Sequence, residues 1–388
     1  MASTQFKSTD TTPWWLGLGD GSDGAYSSVG NATDAPVDSS CSGTVGATSL
    51  TATNASFANG KPILIHQSRG TGAGAWELNQ IASYVAGTIT LVSPLKNTYT
   101  DSGASQAQVI QLKQYSSFTQ DHILTAKNWN ENVGGIIAFL CNGEITGTGT
   151  ISLAGDSAEN NVSGVPGVGV GFKGGQATKL AHNTTAYSGE GTSGTPTQQT
   201  TPNGNGGGGG RNGTDVNIAG MGGGGGNGTG GANGQQFSQG VAGEGGPSAG
   251  NAALTNAVFG GGGGGSSRHD YDPSGGGAGG GFLLMIGREL TLTSLTINLN
   301  GGNAGTAHAY GGGGAGGSCL LKAHIATLGT NKITASAGGG GGTGGSGGVG
   351  RIHLDYLISY TGTTTPTIDV TQDISLSDRK SSMLLNLL

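Results

Sequence analysis

The sequence predicts a mainly β protein: a small N-terminal β domain followed by stacked β-strand repeats packed with a polyglycine-II helix bundle. Three observations carry that expectation. Runs of five to seven residues, almost wholly glycine, recur through the second half of the 388-residue chain. Strand-like segments of matching pattern punctuate those runs. Charged residues make up only 10% of the chain, against roughly 25% in an ordinary globular protein, whereas Thr, Ser, Asn and Gly abound, as strands and turns require.

The glycine runs decide the class. They are Gly206–Gly210, Gly222–Gly226, Gly260–Gly265, Gly275–Gly281 (broken by Ala278), Gly311–Gly317 (broken by Ala315) and Gly338–Gly342. The chain holds 84 glycines, about three times the usual share. Glycine loses more conformational freedom on folding than any other residue. Such runs are therefore either slack or ordered in a structure that only glycine can form. A flexible tether lacks apolar punctuation at fixed places, and here each run leads into or follows an apolar segment. A polyproline-II-type helix has three residues per turn, a rise of ~3.1 Å and no internal hydrogen bonds. Helices of this kind packed side by side satisfy one another's N–H and C=O groups, with weak Cα–H···O contacts adding a little. A Cβ on a packed face would hold them apart. Six residues would span roughly 19 Å, the width of a small domain.

Residues 1–133 are poorer in glycine and read as the N-terminal β domain, for attachment or assembly. Strand candidates are Lys61–His66, Trp76–Tyr84, Thr88–Val92, Gln108–Tyr115 and His122–Leu124, separated by turn residues as in a small sandwich or barrel. Residues 134–350 repeat. One unit runs from Gly134-Gly135 through Ile136–Leu140 to Thr150–Gly155, a second from Gly280-Gly281 through Phe282–Ile286 to Thr296–Gly301, and a third from Gly316-Gly317 through Ser318–Leu321 to Lys332–Gly338. Each opens with a continuous apolar run, read as a strand buried on both faces, and ends in an alternating run, read as a strand with one wet face. Such units bury their apolar faces only by stacking. A truncated fourth unit begins at Gly347 and opens the last segment, 351–388, which ends in an apolar tail. Its Leu384, Leu385, Leu387 and Leu388 need something to dock on, a partner subunit or their own module.

Composition excludes several functions. The net charge of −6 and the lack of any Lys/Arg cluster leave no nucleic-acid footprint. No apolar stretch approaches the ~20 residues that span a bilayer. The N-terminus lacks a basic-then-apolar leader, and Cys41, Cys141 and Cys319 read as buried free thiols without metal spacing. A surface-type composition without an export pattern fits a virion protein, made in the host cytoplasm and working outside it.

Chemistry-bearing motifs are few. Asp20 and Asp23, in Asp20-Gly21-Ser22-Asp23-Gly24, are a weak Ca²⁺ candidate. The loop lacks a downstream Glu, and two overlapping turns are the simpler reading. Gly70-Thr71-Gly72-Ala73-Gly74 has neither the following helix nor the Lys-Ser/Thr of a phosphate loop, so Arg69, Trp76 and Glu77 are assigned to fixing a tight β connection. The seven histidines show no metal or protease spacing, His324 and His353 lie inside strand patterns, and there is no nucleophile elbow. The expectation is a protein without catalysis or cofactor. The most polar and aromatic insert is Arg268-His269-Asp270-Tyr271-Asp272, between two glycine runs, with a matching loop at Asn303–Tyr310 that carries His308 and Tyr310. Tyr offers large contact area at low entropic cost, and Arg and Asp offer directional hydrogen bonds. Residues 211–221 and 233–259 are the other inserts.

Several segments together resemble a family: Gly19–Gly24, Ser68–Glu77, Trp129-Asn130, Gly134–Phe139, Gly171–Gly175 and then the glycine blocks. The chain resembles the glycine-rich proteins common in tailed-phage and uncultured-bacterial genomes. Its glycine half is similar in architecture to the tip adhesins of T-even-like phage tail fibres, in which a polyglycine-II bundle presents variable loops to a host receptor. Insect glycine-rich antifreeze proteins share the bundle with a shorter, more regular repeat. The resemblance implies a tail-fibre or tail-tip adhesin. Its partners would be a host cell-surface receptor, glycan or outer-membrane protein, and other virion subunits, with room for a homo-oligomer and with neither nucleic acid nor membrane insertion. The alternative is a coat, decoration or filament subunit with a purely structural role.

Overall fold

The computed structural model describes residues 18–159, 164–179, 182–215, 218–236 and 239–376. The protein is mainly β, and the helical content of the described residues is one 3-10 turn at Ile374–Leu376. No helix among them is long and apolar enough to cross a membrane.

Two short strands, β1 (Ala25–Ser27) and β2 (Ala32–Thr33), precede a closed antiparallel barrel. The barrel consists of β3 (Asp38–Ser42), β4 (Ser49–Ala52), β5 (Pro62–Arg69), β6 (Trp76–Val85), β7 (Thr88–Leu91) and β8 (Gln106–Gln111), in the order β3-β4-β7-β6-β5-β8. Alternation sets its core: Ile63, Ile65, Ile81, Ile89, Leu91 and Val109 point inward and are enclosed. Strand β5 is buried at every residue because its other face, with Leu64, packs on a second layer. The barrel also takes in Glu77 and Asn79. Both are satisfied by the 93–97 segment: Glu77 accepts from the Lys96 N–H at 3.0 Å and Asn79 Nδ2 donates to the Ser93 carbonyl at 2.9 Å. The β5–β6 turn needs left-handed backbone at Gly70 (φ +85°) and Gly74 (φ +90°), which glycine adopts without steric cost. Arg69, Trp76 and Glu77 do flank this connection.

The remaining strands are β9 (Lys113–Tyr115), β10 (Ser117–Thr119), β11 (Ile123–Thr125), β12 (Ile136–Thr146), β13 (Thr150–Ser152), β14 (Thr178–Lys179), β15 (Ser267–Arg268), β16 (Phe282–Thr291), β17 (Thr296–Asn298), β18 (Ser318–Thr334), β19 (Arg351–Thr365) and β20 (Asp369–Gln372). Apart from the two-stranded β14–β15 ribbon, these strands join β1 and β2 in one 12-stranded sheet, ordered β1-β10-β12-β16-β18-β17-β13-β11-β2, with β19 and β20 beyond β18 and β9 beside β12. The pairings are parallel, and the register is regular. Ile136 pairs with Phe282, Phe282 with Ser318, and Ser318 with Arg351, each the first residue after a glycine. The sheet folds back on itself through the long β18, which pairs with β16 along its first half and with β17 near its end. Between the two limbs lies the largest core, with Ile137, Phe139, Leu283, Met285, Cys319 and Leu321 facing Ile151, Leu153, Ile297, Leu299 and Ile333. The apolar runs are buried on both faces and the alternating runs β13 and β17 on one. The three cysteines are free and buried.

Strands β1, β2 and β9 to β11 fall within residues 1–133 yet pair into the parallel sheet. The barrel is thus an insertion between the first layers of that sheet rather than the whole of the N-terminal segment.

The glycine runs 206–210, 222–226, 260–265, 275–281 and 311–317 are buried throughout and form no strand. Their N–H groups bond to other segments, and every third donor returns to the same neighbour. Gly207 donates to Gly262 and Gly210 to Gly265, whereas Gly208 and Gly209 donate to Glu244 and Gln199, all at 2.8–2.9 Å. Gly277 and Gly280 donate in the same way to Gly312 and Ala315; Gly261 and Gly264 donate to Gly226 and Gly223, running the other way. The packing admits no side chain. A Cβ on Gly263 would sit 2.0 Å from the Gly312 oxygen, and one on Gly312 would sit 1.9 Å from the Gly223 oxygen. The sixth run, expected as another rod over Gly338–Gly342, instead bends. Gly342 has φ +44° and the Gly344 N–H closes a turn on the Gly341 carbonyl at 2.7 Å.

All five buried runs lie between the same two ends. At one end, Asn205 bonds the carbonyls of Gly226 and Phe259, and the Ser318 N–H bonds Gly281. Here Phe259, Phe172 and Leu254 meet Leu64 and Ile110 of the barrel and Phe282, Leu284 and Leu320 of the sheet. His66, enclosed between the Phe259 and Phe282 rings, has its imidazole pushed down to about 4 by burial. A buried ion pair, Arg69–Glu190, ties the barrel to the glycine block, and Glu190 also accepts from Trp129 Nε1 at 3.0 Å. At the other end the runs open into the 211–221, 268–272 and 303–310 inserts, whereas the last part of the 233–259 insert, with Leu254 and Phe259, lies at the barrel end, where Trp76 Nε1 donates to the Leu254 carbonyl at 2.8 Å.

Candidate functional site

The insert end is built by backbone ties between segments distant in sequence. The β14–β15 ribbon joins Thr178–Lys179 to Ser267–Arg268. Isolated bridges link Gly220 to Ser267, Thr185 to Arg211 and Pro273 to Ala309. Ser266 fixes the loop base: its single O–H is shared between the carbonyls of Ser274 and Ala309, each 3.0 Å away, and its oxygen accepts from the Ser274 N–H at 2.8 Å. Ser267 Oγ donates to the Thr184 carbonyl at 2.8 Å. Three serines, 266, 267 and 274, are thus enclosed anchors, and residues 268–272 are carried outward while Pro273 is buried beside Ser274.

Five of these candidates and the next loop meet there. The Arg268 guanidinium lies over the Tyr271 ring, its Cζ 4.5 Å from the centroid, and Arg268 Nη1 donates to the His308 carbonyl at 2.8 Å. The His308 ring lies 4.9 Å from that of Tyr271, and the His308 N–H donates to the Asp272 carbonyl at 3.1 Å. His269 bonds Asp270 through Nδ1. Asp272 forms an ion pair with Lys179 at 2.8 Å. The His269 ring stacks on that of His182 at 4.4 Å and an interplanar angle of 4°. Tyr271 is 45% exposed. The cluster therefore offers flat ring faces, one guanidinium and two carboxylates on a surface whose base is rigidly bonded.

Tyr310 stands apart. It is half-buried against Ala219, Met221 and Ala309, its N–H meets the Met221 sulfur at 3.1 Å, and its ring covers Gly342. It seats the second loop rather than adding to the exposed face. Two members of the cluster are absent from the sequence-derived candidates, Lys179 and His182. The signal was available, since the polar stretch around Asn183 interrupts glycine-rich sequence between Gly175 and Gly189 just as 268–272 does elsewhere.

Other candidates resolve into structural roles. Asp20 Oδ1 accepts from the Ser22 N–H at 2.8 Å, and its carboxyl lies below the usual value: burial opposes ionisation, but the Ser22 hydrogen bonds and the nearby Lys61 outweigh it. Asp23 accepts from the Gln114 N–H at 2.8 Å and pairs with Lys61 at 3.3 Å and Lys113 at 3.8 Å. Both carboxylates are thus committed to turn and strand contacts, and among the described residues no group of His, Cys, Asp and Glu is arranged to hold a metal ion. The Gly70–Gly74 turn edges a shallow cleft with Ser105, Thr192, Ser193 and Asn256, and no titratable side chain lines it. His353 is enclosed between Asp355 and Asp369 in the sheet, and His324 Nε2 lies 2.8 Å from the Leu376 carbonyl oxygen. Leu384, Leu385, Leu387 and Leu388 lie outside the described residues.

Comparison with known proteins finds no family model that matches this chain and no curated protein that matches it.

Proposed function

We propose that the chain is a virion adhesin, a tail-fibre or tail-tip protein that holds loops against a receptor on the host cell surface and works by binding alone. The observation that carries this reading is the gathering of Arg268, Tyr271, His308, His182 and His269 at the end of the glycine runs away from the barrel. Large planar side chains beside directional charged groups are what recognition surfaces use. A surface built from loops of separate segments also varies freely without disturbing the rods beneath it.

The finer architecture belongs to the same proposal. The buried runs act as a polyglycine-II bundle, and the parallel strand layers act as stacked repeats that support it. In favour of the first, every third donor returns to one neighbour, the signature of a helix with three residues per turn. In favour of the second, the glycine preceding each of β12, β16, β18 and β19 falls at one register position. The barrel is the attachment part, the strand-and-glycine module the presenter, and the C-terminal segment the dock for another virion subunit or another copy of the chain. Many weak loop contacts, repeated over several copies on a particle, give avidity.

The test is binding of labelled full-length protein to intact bacterial cells of the host and of non-host strains. Wild type is compared with a variant in which residues 268–272 become Gly-Ser-Gly-Ser-Gly while Ser266, Ser267 and Ser274 stay. Loss of host binding is the expected result; equal binding by both proteins removes the loop assignment. A filament or decoration subunit is the second reading, favoured by the parallel stack, in which β20, among the described residues, pairs with β19 alone. Copy number per particle separates the two, with hundreds of copies for a shell or filament and a few for a tip.

A further inference from the structure

We propose that Arg268 forms an oxyanion subsite and that the receptor is an acidic saccharide, carrying a carboxylate or phosphate on a sugar ring; this rests on the adhesin reading above. Three observations converge on Arg268.

Its position is fixed before any ligand arrives. The β14–β15 ribbon holds its backbone, the His308 carbonyl holds Nη1 at 2.8 Å, and the Tyr271 ring supports the guanidinium plane at 4.5 Å. Its charge is also uncompensated. The neighbouring carboxylates are engaged elsewhere, Asp272 with Lys179 and Asp270 with His269, and Arg268 forms no ion pair among the described residues. Finally, its Nε is enclosed without a hydrogen-bond partner among the described residues, so the group is partly desolvated without a counter-charge there. Such an arrangement is unfavourable in isolation and is offset when an anion binds. A planar fork of N–H donors matches a carboxylate or phosphate in geometry as well as charge.

The surroundings favour a sugar as the bearer of that anion. Tyr271 and the stacked His182–His269 pair offer flat faces on which a pyranose ring can lie. Asp270, Asp272 and the imidazoles beside them are short hydrogen-bonding groups suited to hydroxyls.

Calorimetry and saturation-transfer NMR on the full chain test this with four probes: glucuronic acid, glucose 1-phosphate, glucose and inorganic phosphate. One or both acidic sugars should bind about ten-fold more tightly than glucose. Arg268→Gln should weaken that binding about ten-fold and Arg268→Lys less, because lysine keeps the charge and loses the fork. Tyr271→Leu should weaken the sugars without weakening inorganic phosphate. Lys96→Gln, the same charge change at an exposed position of the barrel, should change nothing. Preference for glucuronic acid assigns a carboxylate; preference for the sugar phosphate assigns a phosphate. The proposal is overturned if glucose binds as well as the acids, if Arg268→Gln retains acid binding with an unchanged melting midpoint, or if inorganic phosphate alone binds. The cell-binding assay separates this failure from failure of the adhesin reading. If Arg268→Gln binds host cells like wild type while the Gly-Ser replacement does not, only the anion assignment falls.

Discussion

In the barrel, Ile63, Ile65, Ile81, Ile89 and Val109 are enclosed by their own side chains, and the backbone pairs strand to strand. In the glycine block, residues 260–265 are enclosed as completely with no side chains at all, their amides bonded in turn to the carbonyls of three neighbouring segments, at Gly280 and Gly277, Gly226 and Gly223, and Glu190 and Tyr187. The barrel is held by apolar area removed from water. The block buries little such area and must be held by hydrogen bonds that satisfy a backbone packed too closely for water. The two regions therefore fail differently. A barrel loosens when atoms are taken away, whereas the block breaks when atoms are added.

Hydrogen exchange gives the largest effect. If the block is as cooperative as the sheet, the amides of residues 207–210, 222–226, 260–265 and 275–281 exchange with the slow core strands, by roughly 10³-fold or more below the unfolded rate. Exchange at the rate of an unstructured peptide would erase the comparison and reduce the runs to tether. Next comes the joint between the regions. Glu190→Gln leaves Arg69 charged and enclosed, and removing one member of a buried pair costs about 3–5 kcal/mol. A denaturant midpoint measures it, and a loss near zero would mean that barrel and block are not mechanically joined there.

The two failure modes are compared directly by a pair of one-carbon changes. Gly263→Ala adds a single methyl 2.0 Å from the Gly312 oxygen, a clash that only backbone movement relieves, and should cost about 3 kcal/mol, the upper range for overpacking. Ile63→Val removes a single methyl from the barrel core and should cost about 1 kcal/mol. Gly30→Ala is the control, since a Cβ there meets nothing within 4 Å, and a loss of chain entropy in the unfolded state makes it neutral or slightly stabilising. If Gly263→Ala proves milder than Ile63→Val, close backbone packing does not hold the block.

How far the sequence discloses all this also differs by region. Trp76–Tyr84 and Thr88–Val92 are legible because alternation and the Ala86-Gly87 turn are local signals, and both strands lie within a residue of the expected bounds. Gln108–Tyr115 reads as one strand but divides at Leu112 into β8, which closes the barrel, and β9, which joins the sheet. Alternation cannot say which sheet a strand enters. Strand β5 continues past His66 through Gln67, Ser68 and Arg69, polar residues whose burial depends on partners such as Glu190 far along the chain. The two- and three-residue strands β1, β2 and β10 carry no pattern of their own and exist because a longer neighbour pairs with them. At the candidate site, Arg268–Asp272 and His308 stand out as polar breaks between glycines. Lys179 and His182 reach the same surface only through the ribbon and the ring stack, which are tertiary facts, and Tyr310 turns inward because Met221 lies beneath it.

The smallest expected effect is a pH dependence, and the glycine runs, having no titratable side chains, cannot supply it. It should come from the strand regions. His353 on β19 is held by Asp355 at 3.0 Å and by Asp369 of β20 at 2.8 Å, with Lys322 of β18 also on Asp355. Burial opposes the charged ring, but the two carboxylates outweigh it and raise His353 above its ordinary 6.5. Its contribution is therefore complete below 6.5 and lost as pH rises through the raised value. Asp34 behaves differently: burial, aided by the charge of Asp38, pushes its carboxyl from 3.8 up to about 6. The folded state holds this proton longer than the unfolded chain, so stability falls as pH rises from 3.8 to about 6 and is flat beyond. Asp355 acts on the acid side. Burial raises it, yet the bonds from His353 and Lys322 lower it below 3.8, so its contribution is present above 3.8 and lost on further acidification. Between pH 4 and 6 the loss from Asp34 is opposed by His66, which burial holds at about 4 and which therefore adds stability as pH rises towards 6.5; the descent above 6.5 is His353's. Asp34→Asn should remove the first loss and leave the rise from His66 exposed, and His353→Gln should remove the descent above 6.5, each without touching the other. A descent that survives both substitutions would place the titrating groups outside these strands and undo the assignment of pH sensitivity to the side-chain-bearing half of the molecule.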